Sequence, residues 1–123
     1  MKWKFDNDRP IYLQIVEQFK QFILSGEAEP GEKLMPVREL AADAGVNPNT
    51  MQRALAELER DGLMYTNRTS GRYITDDKAV IDRLKKEFAR KKLEGFLGDM
   101  SRIGLGVDET IELLREYGGR KNG

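Results

Sequence analysis

The apolar residues recur at helical spacing in five stretches and at strand-like spacing in one. Ile11, Ile15, Phe19, Phe22 and Ile23, widened by Tyr12 and Val16, form the first stripe. Residues three and four apart share one face of an α-helix, so this stripe predicts a helix with a wide buried face. Pro10 opens it, Asp8 lies in its capping region and Gly26 closes it. Val37, Leu40 and Ala41 predict a second, short helix opened by Pro36, and Met51, Ala54, Leu55 and Leu58 predict a third. Between these two, Gly45 supplies the left-handed residue that ends one helix. Asn47 caps the next, with Pro48 at its first position, where a missing N–H costs nothing. Two short helices joined by a glycine-containing turn have helix-turn-helix geometry. The outer face of the third helix carries Asn49, Gln52, Arg53 and Ala56, small, amide or guanidinium side chains of the kind that read base edges in a major groove. Such helix pairs also occur in all-helical domains with no nucleic-acid partner, so the flanking chain has to decide.

Upstream, Trp3 and Phe5 alternate with polar residues, as in a short extended arm whose aromatics pack on the body. Pro30-Gly31 marks a turn ahead of the helix-turn-helix. After Gly62 the period changes. Leu63–Asn67 and Arg72–Thr75 are rich in aromatic and β-branched residues and flank Arg68-Thr69-Ser70-Gly71, a β-hairpin signal. A hairpin directly after a helix of recognition type reads as a wing. Arg68, Ser70, Gly71 and Arg72 make its tip cationic, and the glycine permits close backbone approach to phosphate. The bland alternative is a solvated basic turn.

Beyond Ile74 the helical period returns. Thr75-Asp76-Asp77 can cap a long helix whose stripe runs through Ile81, Leu84, Phe88, Phe96, Leu97, Met100 and Ile103. Its other face carries Arg83, Lys85, Lys86, Glu87, Arg90, Lys91 and Lys92, and such a charge run is ordinarily a solvated face. Gly104-Leu105-Gly106 breaks the helix, Asp108 can cap a last one bearing Ile111, Leu114 and Tyr117, and the terminal GGRKNG is expected to fray. The fold class is thus mainly α with a small β-hairpin. Residues 1–76 form a winged helix-turn-helix, and residues 77–123 a short helical segment.

Composition removes several chemistries. The 123 residues include no Cys and no His, which excludes disulfides, zinc knuckles, thiol nucleophiles and a histidine general base. Scattered carboxylates leave only a hard cation open, and no metal site or cofactor is expected. The 21 basic and 21 acidic side chains cancel, so any DNA-binding face has to be a local patch on a near-neutral molecule. No apolar leader or membrane-length run is present, so a soluble, cytoplasmic protein is expected.

The run from Ile11 to Ile74 resembles the winged-helix domain of the GntR family of bacterial transcription regulators. The shared elements are P-I-Y-L-Q-I, I-L-S-G, P-G-E-K-L, V-R-E-L-A, V-N-P-N-T, A-L-A-E-L-E-R-D-G-L and the wing R-T-S-G-R-Y-I. The V-N-P-N-T form and the short C-terminal segment are most similar to the YtrA-type subfamily. The resemblance implies that Arg38 contacts the DNA backbone and nearby bases, that Thr50 bonds a phosphate, and that Gln52 and Arg53 face the groove. It also matches Gly71 to the wing-tip glycine. Leu34-Met35-Pro36-Val37-Arg38 departs from the family's L-P-S-x-R, so its serine contact is missing. Pro48 and Gln52 stand where arginines are common, and an amide at Gln52 suits adenine better than guanine.

The expected DNA-binding set is therefore Arg38, Asn47, Asn49, Thr50, Gln52, Arg53, Arg68, Ser70, Gly71 and Arg72. The expected partners are a double-stranded DNA operator and a second copy of the chain. The stripe of Ile81, Leu84, Phe88, Phe96, Leu97, Met100 and Ile103 would form a homodimer whose two-fold matches a palindromic operator. The resemblance implies the same assembly and suggests repression. The C-terminal segment is too short to enclose a conventional ligand pocket, so any small-molecule effector would bind between subunits near residues 75–78. The alternative is a winged helix that binds protein through its outer helix, favoured by the neutral charge. An enzyme ranks last, since no carboxylate pair sits in a catalytic setting and no catalytic residue is expected.

Overall fold

A computed structural model of the protein describes residues 1–122 and contains five helices and one hairpin. The order is α1 (Ile11–Leu24), α2 (Val37–Ala44), α3 (Pro48–Arg60), β1 (Met64–Asn67), β2 (Gly71–Ile74), α4 (Lys78–Arg102) and α5 (Val107–Asn122). The chain divides into two compact units, with the boundary inside α4 after Leu84. The first unit thus runs eight residues past the expected boundary at residue 76 and takes in the opening turns of α4.

In the first unit α3 is the hub, touching α1, α2 and β1. Met51, Ala54, Leu55 and Leu58 are fully buried, as are Ile15 and Phe19 of α1, while Leu40 and Ala41 of α2 are almost so. Leu63 and Ile74 close this core from the hairpin side. Ile81, expected in the dimerisation stripe, is instead 9% exposed in the single chain. It lies in the first unit, and its burial leaves little of it for a partner.

The hairpin pairs Met64 with Ile74, Tyr65 with Tyr73, Thr66 with Arg72 and Asn67 with Gly71. A third segment joins it: Lys33 bridges Tyr73, Leu34 N donates to Arg72 O at 2.9 Å and Ile74 N to Glu32 O at 2.9 Å. The chain entering α2 is thereby tied to the wing, a pairing that period and turn signals did not reveal.

The N-terminal arm is held by an equally long-range device. Trp3 stacks on Phe5 and meets Phe19 and Phe22 edge-on, and its indole N–H donates to Asp43 of α2 at 3.2 Å. Gln14 and Gln18, one helical turn apart, bind the arm's backbone at alternate residues. Gln14 accepts from Asp6 N and donates to Asp6 O and Arg9 O, and Gln18 accepts from Lys4 N and donates to Lys4 O. Two side chains thus take the place of a neighbouring strand. Helix α1 starts after Pro10 without a side-chain cap, so Asp8 does not cap it.

In the second unit α4 ends at Arg102, and Gly104 in the turn that follows has φ of +86°. Glu109 accepts from Gly106 N, the return half of a capping box. Asp108 lies in the first turn rather than at the cap, where it still complements the helix dipole. Helix α5 runs through Gly118 and Gly119 to Asn122; of the terminal GGRKNG expected to fray, Gly123 lies outside the described residues. Its apolar side chains Val107, Ile111, Leu114 and Tyr117 are exposed, as are Leu93, Phe96 and Ile103 before it. Leu84, Phe88, Leu97 and Met100 are half-buried.

Gln14 is 2% exposed and spends its whole amide on the arm. Gln14→Ala unpairs three backbone groups and is expected to cost about 1–3 kcal/mol in urea unfolding, with helical circular dichroism retained. Unchanged stability would show that the arm adds nothing to the fold.

Candidate nucleic-acid interface

Helix α3 projects a polar face because its other face is consumed by the core. Asn49, Gln52, Arg53 and Ala56 are exposed, interleaved with buried Met51, Ala54 and Leu55. The helix starts where expected: Asn47 Oδ1 accepts from Asn49 N at 2.7 Å, Pro48 holds the first position, and Gly45 ends α2 at φ +70°. Asn47 therefore acts as the cap that sets the start of the helix. Thr50 is half-buried and lines a cleft of about 360 Å³ with Phe5, Ile11 and Val46.

A second cleft, of about 400 Å³, opens between the chain entering α2, helix α3 and the wing. Its lining brings Gln52 together with Thr66, Ser70, Gly71 and Arg72, so the helix and the wing tip face one space. Lys33, Met35 and Val37 supply the opposite wall. Met35 is 43% exposed there. Sequence reading singled it out only as a departure from the family's pattern. Gly71 has φ of +121°, and a Cβ on it would meet Lys33 Cε at 3.4 Å, so the backbone runs close to that wall.

The expected cations fall into two groups. Arg38, in the first turn of α2, and Arg68, at the wing tip, are exposed and, among the described residues, make no ion pair. Arg72 and Arg53 are engaged within the chain. Arg72 Nε donates to Glu59 Oε1 at 2.9 Å, with its side chain 16% exposed. Its charge is thus largely matched inside the protein, and its first role is to fasten the wing to α3. Thr66 donates its hydroxyl to the same Glu59 oxygen. Burial raises the Glu59 pKa, but the hydrogen bonds from Thr66 and Arg72, with the Arg72 charge, outweigh it and hold the carboxyl below the usual glutamate range. Arg53 lies over the Tyr12 ring, its Cζ 3.6 Å from the centroid. Ser70 accepts the Tyr73 hydroxyl at 2.9 Å, and Tyr73 stacks on Tyr65 across the hairpin. Glu59 and Tyr12 are the functional-site residues that sequence reasoning left out; the i, i+13 spacing of Glu59 and Arg72 carries no local signature.

Of the residues expected to form a dimer, Ile81 and Leu84 belong to the first unit and Phe88, Phe96, Leu97, Met100 and Ile103 to the second. No helix of the described residues is long and apolar enough to cross a membrane.

A carboxylate held below its ordinary range in the folded state contributes stability that is present above the unfolded-state pKa and lost as pH falls through the folded-state value. Glu59→Gln is therefore expected to be less stable than the parent at neutral pH, with the gap closing below about pH 4.3. Urea unfolding at stepped pH measures this, and a gap that stays constant into the acid range would contradict the latch.

Comparison with known proteins agrees with this geometry. Residues 11–74 match the family model described as bacterial regulatory proteins, gntR family. The chain is 40% identical over 114 residues to the HTH-type transcriptional regulator YhcF of Bacillus subtilis (strain 168), covering 93% of this chain and 94% of that one. It is 37% identical over 119 residues to the HTH-type transcriptional repressor YtrA of the same organism, covering 92% of each. A GntR family transcriptional regulator from Listeria monocytogenes superposes with a TM-score of 0.85 at 42% identity, over 91% of this chain and 98% of that one. The DNA-binding domain of AraR in complex with operator ORX1 superposes with a TM-score of 0.55 at 25% identity, over 61% of this chain and 96% of that one.

Proposed function

The chain belongs to the gntR family of bacterial regulatory proteins, and we propose that it is a homodimeric repressor that binds a palindromic operator through α3 and the wing. It is a DNA-binding transcription regulator and not an enzyme. One observation carries the finer reading: Gln52 on the exposed face of α3 opens on the same cleft as the wing tip. A groove-inserted helix flanked by a wing needs both elements to face one duplex, and a cleft shared by Gln52 and the wing tip supports that reading.

In this reading Gln52 reads a base, with adenine its best match, and Asn49 lies one turn earlier on the same face. Arg38, Thr50 and Arg68 bond phosphates, which position the protein without specifying sequence. Asn47, Ser70, Gly71 and Arg72 hold α3 and the wing tip in place beside the duplex. Two copies joined through the C-terminal segment set the half-site spacing. Phe96, Leu97, Met100 and Ile103 supply that interface, with Leu84 and Phe88 extending it and Leu93, Ile111 and Leu114 adding to it. Exposed apolar side chains on this scale mark an interaction surface. The relative YtrA bears the name repressor, and repression is the simplest outcome of occupying a promoter. A small-molecule effector would act between the subunits, and such a regulator works in the cytoplasm, where its operator lies.

Selection of bound sequences from a random duplex pool at recorded salt is expected to enrich a palindrome with half-sites about one helical turn apart. Gln52→Ala should relax preference at one position per half-site, costing about 1–3 kcal/mol, whereas Arg38→Ala should weaken binding to all sequences alike. No enrichment by a folded, dimeric protein would overturn the reading. Sedimentation equilibrium tests the assembly: the parent is expected to be a dimer and Ile103→Glu, at a position 71% exposed in the single chain, shifted toward monomer. A monomeric parent would remove the palindrome argument.

A further inference from the structure

We propose that Tyr12 is a positioning residue for DNA binding, which holds Arg53 as a preorganised clamp for one phosphate beside the recognition helix. The inference rests on the DNA-binding reading above. Its starting point is the placement of the Arg53 guanidinium over the Tyr12 ring, at 3.6 Å from the centroid. That distance is well inside the range of a cation–π contact. Arg53 follows Gln52 on the exposed face of α3, and Tyr12 sits in the first turn of α1, a helix packed on α3.

Three features separate this pair from an incidental surface contact. Arg53 is exposed, and among the described residues no carboxylate or carbonyl takes its N–H groups. The ring thus restrains the side chain while leaving its charge unmatched and its donor edges free. The other engaged arginine of this face, Arg72, has its charge answered by Glu59, so an unanswered one stands out. A free arginine also has a large rotamer freedom to lose when it bonds a phosphate, and stacking removes part of that loss beforehand. A planar fork held at its face and open at its edge suits the two oxygens of a phosphate.

The stack follows from the fold. Tyr12 widens the apolar stripe of α1, and the residue is half-buried. Tyr12 thereby belongs both to the α1 stripe and to the edge of the proposed DNA face. Sequence periodicity could assign only the first of these roles.

The test is a double-mutant cycle on the full chain, with affinity for the selected operator duplex measured across salt concentrations. Arg53→Ala is expected to weaken binding and to reduce the slope of log affinity against log salt by about 0.9, the value for one phosphate no longer neutralised. Tyr12→Leu should weaken binding by about three- to tenfold, part of the rotamer freedom that an unstacked Arg53 then loses on binding, with the slope kept. Added to Arg53→Ala, it should cost nothing further. Tyr12→Phe should bind as the parent does, because the ring and not the hydroxyl carries the contact. Arg53→Lys should keep the slope and lose affinity, which tests the clamp even where Tyr12→Leu fails to fold.

An equal loss from Tyr12→Leu with and without Arg53 would overturn the proposal, as would an unchanged salt slope in Arg53→Ala. A loss in Tyr12→Phe would also overturn it, by assigning the contact to the hydroxyl. These outcomes defeat the clamp alone. Failure of the parent to bind any duplex would defeat the DNA-binding reading beneath it.

Discussion

Burial of one face of α3 is the constraint on which the rest of the first unit depends. Met51, Ala54, Leu55 and Leu58 have no solvent exposure, and they can reach that state only with α1 and α2 closed over the same side of the helix. Burying a side chain of this kind is worth roughly 1.5–3 kcal/mol relative to leaving it in water. Because the apolar stripe fixes the rotation of the helix, the opposite face is fixed too. Asn49, Gln52, Arg53 and Ala56 point outward as a consequence of the core. The presentation of the proposed reading face is thus a by-product of hydrophobic packing, and it needs no separate device.

The wing does need one. A two-stranded hairpin is marginal alone in water, and this one is secured along its β2 edge and on one face. Along the edge Lys33 and Leu34 add a strand-like partner that ties it to the start of α2. On the face, Glu59 of α3 gathers Arg72 and Thr66 from the two strands onto one oxygen. Helix, wing and the entry to α2 therefore form one piece around the cleft that holds Gln52. A near-neutral protein that reads DNA gains from such rigidity, since it cannot rely on bulk positive charge for affinity. Local order has to supply what net charge does not.

Much of this was legible in the chain. Helical periodicity placed all five helices, Gly45, Asn47 and Pro48 marked the turn and cap, and the change of period after Gly62 marked the wing. These features are local, with the informative residues within one or two turns of each other. What escaped is long-range. The Glu59–Arg72 pair spans thirteen positions, Tyr12 and Arg53 come from different helices, and Lys33 joins Tyr73 across the whole helix-turn-helix. Gln14 and Gln18 read as polar positions on a helix, and only the folded arm shows that they replace a strand. Ile81 sits in register with the stripe proposed for dimerisation, yet the opening turns of α4 belong to the first unit, and periodicity cannot say which body buries a residue. Arg72 was legible as a cation but not as a paired one, since pairing depends on where the partner strand runs.

The most direct measurement is hydrogen exchange of the full chain with and without the selected operator duplex. Slowed exchange in α3, the start of α2 and the wing tip around Arg68, with α4 beyond Leu84 unaffected by DNA, is the predicted result. Protection that leaves α3 and the wing untouched, or that falls on the second unit alone, would contradict the assignment of this face to DNA.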